Sequence, residues 1–174
     1  MNLLHDVDPG TKEEMNVIIE IPKDSHNKYE IDKKTGLIKL DRANYSAAAY
    51  PFDYGFVPQT LWDDGDALDV IVLTTYPLDV AILVATRPVA ILNMIDNGEP
   101  DEKILAVPVE DKRWDDIRGL EDVNKHTLKE IVNFFETYKM LKGKPSPVEI
   151  SGWSGRVEAE AAFERARQMY ADKK

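Results

Sequence analysis

Apolar and polar positions along this 174-residue chain change their period once. Over the first two thirds, short apolar runs alternate with turn residues. Asn16 to Ile21 (NVIIEI) is a β-branched run stopped by Pro22, Lys28 to Asp32 alternates with a period of two, and Gly36 to Leu40 follows a Thr35-Gly36 turn. Together these predict an early meander. Further strands are expected near Val57, over Val70 to Thr75, over Ile82 to Asn93 with Pro88 demoting part of it to a sheet edge, and over Lys103 to Val109. From Asn124 the spacing becomes helical: Leu128, Ile131, Val132, Phe135, Tyr138 and Leu141 fall on one face, and Gly143 with Pro145 ends the run. A second helix is expected from about Val157 to Tyr170, with Ala159, Ala162, Phe163, Ala166 and Met169 on its apolar side. Many short strands followed by two helices predict an α+β architecture, a closed or partly closed barrel flanked by helices. No repeat, low-complexity segment or long linker marks a boundary, so residues 1–174 are expected to form one domain.

Composition narrows the function classes. Hydrophobic residues make up 43% and charged residues 31%, ordinary proportions for a soluble domain, and no apolar run approaches a membrane span, so no membrane partner is expected. The start, MNLLHDVDPG, has neither a basic n-region nor an apolar h-region, and there is no cysteine, which points to the cytoplasm and removes thiol chemistry. A net charge of -10 repels a phosphate backbone unless cations are gathered locally, so nucleic acid is not an expected partner.

The charge is not spread evenly. Trp62-Asp63-Asp64-Gly65-Asp66-Ala67-Leu68-Asp69 places four carboxylates within seven residues, directly before an apolar strand. Gly65 permits a tight turn, so Asp64, Asp66 and Asp69 can converge at the mouth of that strand. Two unit charges about 4 Å apart repel by roughly 4 kcal/mol at an effective dielectric near 20, and a hard divalent cation such as Mg²⁺ relieves that repulsion. A solvated turn is the competing reading. The EF-hand pattern fails, because no Glu stands at the twelfth position and a strand follows. A second acidic loop, Met94 to Lys103, offers Asp96, Asp101 and Lys103, or is merely a hairpin. Lys28 and Glu30 share one strand face, opposite Tyr29, as functional groups or as a solvated ion pair. Arg42 is a fork-shaped donor suited to phosphate, Tyr50 and Tyr54 carry hydroxyls within an aromatic run, and Tyr138-Lys139 closes the first helix. There is no GxxxxGK[ST], no GxGxxG and no HExxH, and His5, His26 and His126 read as surface or capping residues. Gly152-Trp153-Ser154-Gly155-Arg156 misses GxSxG by one position and reads as the turn leading into the second helix.

In this order the pieces resemble the family I soluble inorganic pyrophosphatases, from about Asn16 to Tyr170. The acidic signature D-G-D-P-x-D appears as Asp64 to Asp69, accompanied by IEIP at Ile19, KYEID at Lys28, LDR at Leu40 and YPFDYGFVPQT at Tyr50. Downstream, RPVAIL at Arg87, DEKILAVPVED at Asp101, NFFETYK at Asn133 and ISGW at Ile150 continue it. The resemblance implies a five-stranded OB-like β-barrel with additional strands and flanking helices, Mg²⁺-dependent hydrolysis of pyrophosphate to two phosphates, and an oligomer, a hexamer in microbial members. Residue by residue, it implies Asp64, Asp69 and Asp101 as ligands of two tight metals, Asp96 with Asp101 for a third, and Glu30 for a metal on the leaving-group side. It implies Asp66 as the general base and Lys28, Arg42, Tyr54, Lys103, Tyr138 and Lys139 on phosphate oxygens, with Glu20 and Tyr50 in support. Ala67 stands where the family usually has Pro, and Asn97 where it often has Glu.

Two other classes compete with the enzyme. A non-catalytic OB-type binding module would need a basic, aromatic-rich face. A glycosidase would use two carboxylates with Trp62, Trp114 or Trp153 as sugar platforms.

Overall fold

The computed structural model describes residues 1–144 and 147–173. Nine strands and two helices follow in the order β1 (Met15–Ile21), β2 (Asn27–Ile31), β3 (Ile38–Ala43), β4 (Asp53–Phe56), β5 (Asp69–Val72), β6 (Leu83–Asp96), β7 (Glu99–Pro100), β8 (Lys103–Pro108), α1 (Lys125–Thr137), β9 (Val148–Ser154) and α2 (Arg156–Lys173). Strands β1, β4, β5, β8 and β6 pair in that order, and β6 returns to β1, closing a five-stranded ring. All these pairs are antiparallel except β5 with β8. This is the OB-like barrel with flanking helices.

The central strands are buried on both faces, which is why they read as apolar runs rather than as strict alternation. Period two then divides each strand between two core clusters. Ile71, Leu105 and Val107 pack with Ile131, Phe134 and Phe135 of α1. Their neighbours Val70, Val72, Ile104 and Ala106 pack with α2. Alanines at 159, 162 and 166 beside Phe163 make a narrow stripe at helical spacing, which lets α2 lie close to the barrel. Asn124 caps α1, its side chain accepting from the backbone N–H groups of His126 and Thr127.

Several expectations change. The early meander does not form, because β2 and β3 make their own two-stranded sheet while β1 pairs with β4 and β6. The reason is burial: β1 is almost wholly buried, whereas β2 and β3 are largely half-exposed or exposed and give the core only partly buried contacts such as Tyr29 and Ile31. Pro88 stands where β6 is locally an edge, since β1 pairs it only up to Thr86 and β9 only from Ile91, leaving β8 as its neighbour there. It sits at a register shift against β8, and between the stretches where β6 pairs β1 and β9, so its missing N–H costs little. The strand near Val57 ends at Phe56. Helix α1 stops at Thr137, and Met140–Lys142 forms a 3-10 turn, which leaves Leu141 exposed rather than on the buried stripe. Gly143 has φ 84, as a helix terminator should, while Pro145 lies outside the described residues. Residues 152–154 belong to β9, and Gly155 alone connects that strand to α2.

Candidate active site

Trp62 donates its backbone N–H to Asp66 O (2.7 Å) and accepts from Gly65 N (3.0 Å), so residues 62–66 close on themselves. Gly65 has φ 85 with open space around it, making its requirement one of backbone conformation rather than room. The turn delivers Asp69 to the first position of β5. The parallel register then sets Asp69 beside Lys103, the first residue of β8. Lys103 Nζ donates to Asp69 Oδ2 (2.8 Å), Asp101 Oδ1 (3.0 Å) and the Tyr54 hydroxyl (2.7 Å), joining both acidic loops to β4. Tyr54 reaches this point because its neighbour Gly55 allows β1 and β4 to approach closely: a Cβ there would lie 1.9 Å from Ile18 O.

Burial governs the electrostatics. Loss of water pushes the Asp101 carboxyl up to about 7, although Lys103 pulls it down. Burial also raises Asp64; the Asp66 backbone N–H it accepts (2.9 Å) opposes the shift, and the Asp69 carboxylate adds to it. Glu20, enclosed beneath the site, is pushed up to about 8 by burial and then by Asp69, while the Ile31 N–H it accepts (2.7 Å) opposes the shift. For Lys103 burial favours the neutral amine, and the Asp69 and Asp101 carboxylates more than reverse it. Tyr54 and Tyr138 are held protonated by burial.

The small β2–β3 sheet supplies the other wall. Lys28 Nζ donates to Glu30 Oε2 (3.3 Å) and Asp41 Oδ2 (3.0 Å), and Arg42 Nη1 to Asp41 Oδ2 (3.2 Å). Glu30 also takes Lys39 at 3.3 Å. From the end of α1, Lys139 Nζ reaches Asp96 Oδ2 at 2.5 Å, and the Arg42 guanidinium lies 5.8 Å from the Tyr138 ring centroid.

These walls enclose a cavity of about 690 Å³. Glu20, Lys28, Glu30, Arg42 and Tyr54 line it from the first half of the chain. Asp64, Asp66, Asp69, Asp96, Asp101 and Lys103 line it from the acidic loops, and Tyr138 and Lys139 from the end of α1. Tyr50 does not reach it. Its ring lies behind the wall, 6.2 Å from Tyr54 and 6.3 Å from Tyr138 between centroids. None of Trp62, Trp114 and Trp153 lines the cavity, which removes the sugar platforms a glycosidase would need.

A model of the inorganic pyrophosphatase family matches residues 17–171. The inorganic pyrophosphatase of Geobacillus stearothermophilus is 46% identical over 160 residues, covering 92% of this chain and 96% of that protein. The one from Methanosarcina acetivorans is 49% identical over 158 residues, 91% and 93% of the two chains. Among solved structures, the inorganic pyrophosphatase from Thermus thermophilus matches with a TM-score of 0.94 at 42% identity, covering 98% of this chain and 99% of that one. The chain belongs to the inorganic pyrophosphatase family.

An inorganic pyrophosphatase of this kind must hold a polyanion, and the cavity carries about as many lysine and arginine side chains as carboxylates. Among the described residues no three carboxylates stand together as a ready coordination set, because lysines lie between them. The donor chemistry nevertheless fits hard divalent cations. All the candidate ligands are carboxylate oxygens, Asp96 Oδ1 is buried without a hydrogen-bond partner, and burial makes the charges of Asp64 and Asp101 costly unless neutralised. Sequence reasoning singled out neither Asp41, which lies behind the cavity lining, nor Lys33, which is part of it. Asp41 tethers Lys28 and Arg42, and Lys33 places Nζ 2.5 Å from Asp66 Oδ1. Asp41 adjoins Arg42 in the LDR motif, which could have flagged it; for Lys33 the sequence holds no signal, since the contact depends on how the hairpin leans. Asn97 is explained by the backbone: with φ 51 it forms, with Gly98, the two-residue turn between β6 and β7, a conformation Asn tolerates better than Glu.

Proposed function

We propose that this chain hydrolyses inorganic pyrophosphate to two orthophosphates in the 690 Å³ cavity. The observation that carries the reading is the meeting, in one cavity, of carboxylates suited to hard cations with Lys, Arg and Tyr donors suited to phosphate oxygens. Asp64, Asp69 and Asp101 would hold Mg²⁺, with Asp96 and Glu30 serving further ions. Bound there, magnesium would neutralise the substrate and make a water acidic enough to lose its proton near neutral pH.

The protein's own groups do the rest. Lys28, Arg42, Lys103, Lys139, Tyr54 and Tyr138 bind phosphate oxygens and spread the charge that develops as the P–O–P bond breaks. Tyr54 and Tyr138 serve as neutral donors, since burial keeps their protons on. Asp66, exposed at the loop tip, takes the proton of the attacking water as its oxygen bonds to one phosphorus and the other phosphate leaves. Glu20 supports from below, its bond to Ile31 N tying β1 to the strand that carries Glu30. Tyr50 supports through packing on the Tyr54 and Tyr138 rings.

The same proposal takes the chain as one domain, acting in the cytoplasm as a hexamer. Support for assembly comes from the exposed apolar side chains of Met140, Leu141 and Val157. No described helix is long and apolar enough to cross a membrane. A basic, aromatic-lined face of the kind a nucleic-acid module uses has no support in a cavity whose cations are paired with carboxylates.

The test is phosphate release from pyrophosphate, with Mg²⁺ and with excess EDTA. Fast release that requires Mg²⁺ is expected. No release under either condition from folded protein would return the binding-module reading to the front. Sedimentation of the same sample gives the assembly state.

A further inference from the structure

Asp69 and Lys103 are held by neighbouring parallel strands, but the loops that precede them project beyond that ladder. Hydrogen bonds along β5 and β8 therefore fix where the loops end and leave their relative tilt to other contacts. Behind the loops, away from the cavity lining, such contacts exist. The indole N–H of Trp62 donates to Glu102 Oε2 at 2.7 Å, joining the first residue of one loop to the residue after Asp101 in the other. Arg165 of α2 grips Asp63 with both terminal nitrogens (2.6 and 3.0 Å), and its guanidinium lies 4.6 Å from the Trp62 ring centroid. Leu61 N donates to Ala166 O at 3.0 Å, seating the base of the same loop on the same helix turn.

We propose that Trp62, Glu102 and Arg165 form a clamp that holds the two acidic loops in one register and thereby sets the affinity of the site for Mg²⁺. Each clamp residue adjoins a carboxylate of the cavity or its neighbour: Asp63 and Asp64 follow Trp62, and Asp101 precedes Glu102. The inference rests on the Mg²⁺-dependent reading above. Trp62 is well buried, and a planar ring between an arginine and a carboxylate has few ways to move, so tilting one loop displaces the other. Positioning contacts of this kind act on ligand geometry without touching the ion. None of the three touches substrate, so they are positioning residues.

The direct readout is Mg²⁺ binding to the full chain by titration calorimetry, without substrate, alongside the Mg²⁺ dependence of hydrolysis. Trp62→Phe keeps an aromatic ring and deletes the N–H, and Glu102→Ala removes the acceptor at a half-exposed site, so at least one of them should fold. Each, and Arg165→Ala, is expected to weaken Mg²⁺ binding about tenfold, the lower end of what losing an outer-shell partner costs. The double variant Trp62→Phe with Glu102→Ala should be no worse than either single change, because both remove the same bond. Arg167→Ala, on the same helix with its guanidinium over Phe163, should leave the affinity unchanged. A fall in thermal stability with wild-type Mg²⁺ affinity in all three variants overturns the clamp, leaving these residues a packing role. A wild-type chain that binds no Mg²⁺ overturns the functional reading and this inference with it.

Discussion

Two lysines in the cavity hold two carboxylates each, and they behave differently. Lys103 sits between Asp69 and Asp101 at 2.8 and 3.0 Å, with its side chain 4% exposed. Lys28 sits between Glu30 and Asp41 at 3.3 and 3.0 Å, with its side chain 24% exposed. The motif and distances are nearly the same, so the difference lies in what surrounds them. Lys103 belongs to a barrel strand buried on both faces, whereas Lys28 stands on a two-stranded sheet with no core of its own. At about 4 Å a unit pair is worth roughly 4 kcal/mol near an effective dielectric of 20 and roughly 1 in water. Accordingly Asp101 is driven up to about 7 by burial, while Asp41 is held below the usual carboxylate range, where Lys28 outweighs its partial burial. One wall holds carboxylates whose charge burial opposes, and the other holds its ion pairs closer to water.

The comparison breaks most sharply at Lys103. Lys103→Met leaves two buried carboxylates unpaired and should cost about 3–5 kcal/mol of stability in urea unfolding at pH 8 with EDTA, together with nearly all hydrolysis. Added Mg²⁺ should restore more stability to this variant than to the wild type, because the ion replaces the missing positive charge. A variant as stable as the wild type would mean that water already reaches the pair.

Glu20 gives the next effect, through pH. Its folded value of about 8 lies above the ordinary 4.5, so the folded state holds a proton that the unfolded state has released. The contribution of Glu20 to stability should therefore be full below about pH 4.5, be lost as pH rises through 8, and change no further above. Glu20→Gln should flatten that decline, melting well above the wild type at pH 9 and close to it at pH 4, in EDTA. Parallel curves for the two proteins would show that Glu20 is solvated.

On the hairpin the effects should be functional rather than structural. Lys28→Met is expected to change stability by no more than about 1 kcal/mol while raising KM for pyrophosphate, read from steady-state kinetics beside a denaturation curve. A stability loss as large as that of Lys103→Met would erase the distinction between the two walls. Smallest of all, Lys39→Ala removes a half-exposed partner of Glu30 and should move the unfolding free energy by about 0.5 kcal/mol or less.

Much of this was legible in the chain. The helical run that begins near Asn124, the alanine stripe of α2, the DGD turn and the barrel strands all rest on local chemistry or on period, which neighbours in sequence reveal. Strand β9 was not marked: Val148 to Ser151 does alternate, but Gly152, at φ 124, interrupts the pattern after four residues. The independent β2–β3 sheet was missed for the opposite reason: its alternation is sound, and only the small apolar surface it gives to the core sets it apart.

Local chemistry and periodicity set which residue types were available and where each could sit along its own element. The chain supplied carboxylates at a glycine turn, a lysine and tyrosine ending a helix, and strands apolar enough to be buried twice. Only the tertiary structure decided which of them meet. Lys103 between Asp69 and Asp101, Lys139 on Asp96, Lys33 on Asp66 and Arg165 on Asp63 join residues separated by as many as 102 positions. Such pairings are chosen by strand order and helix docking, and the shielding that gives them their energies exists only once the barrel has closed.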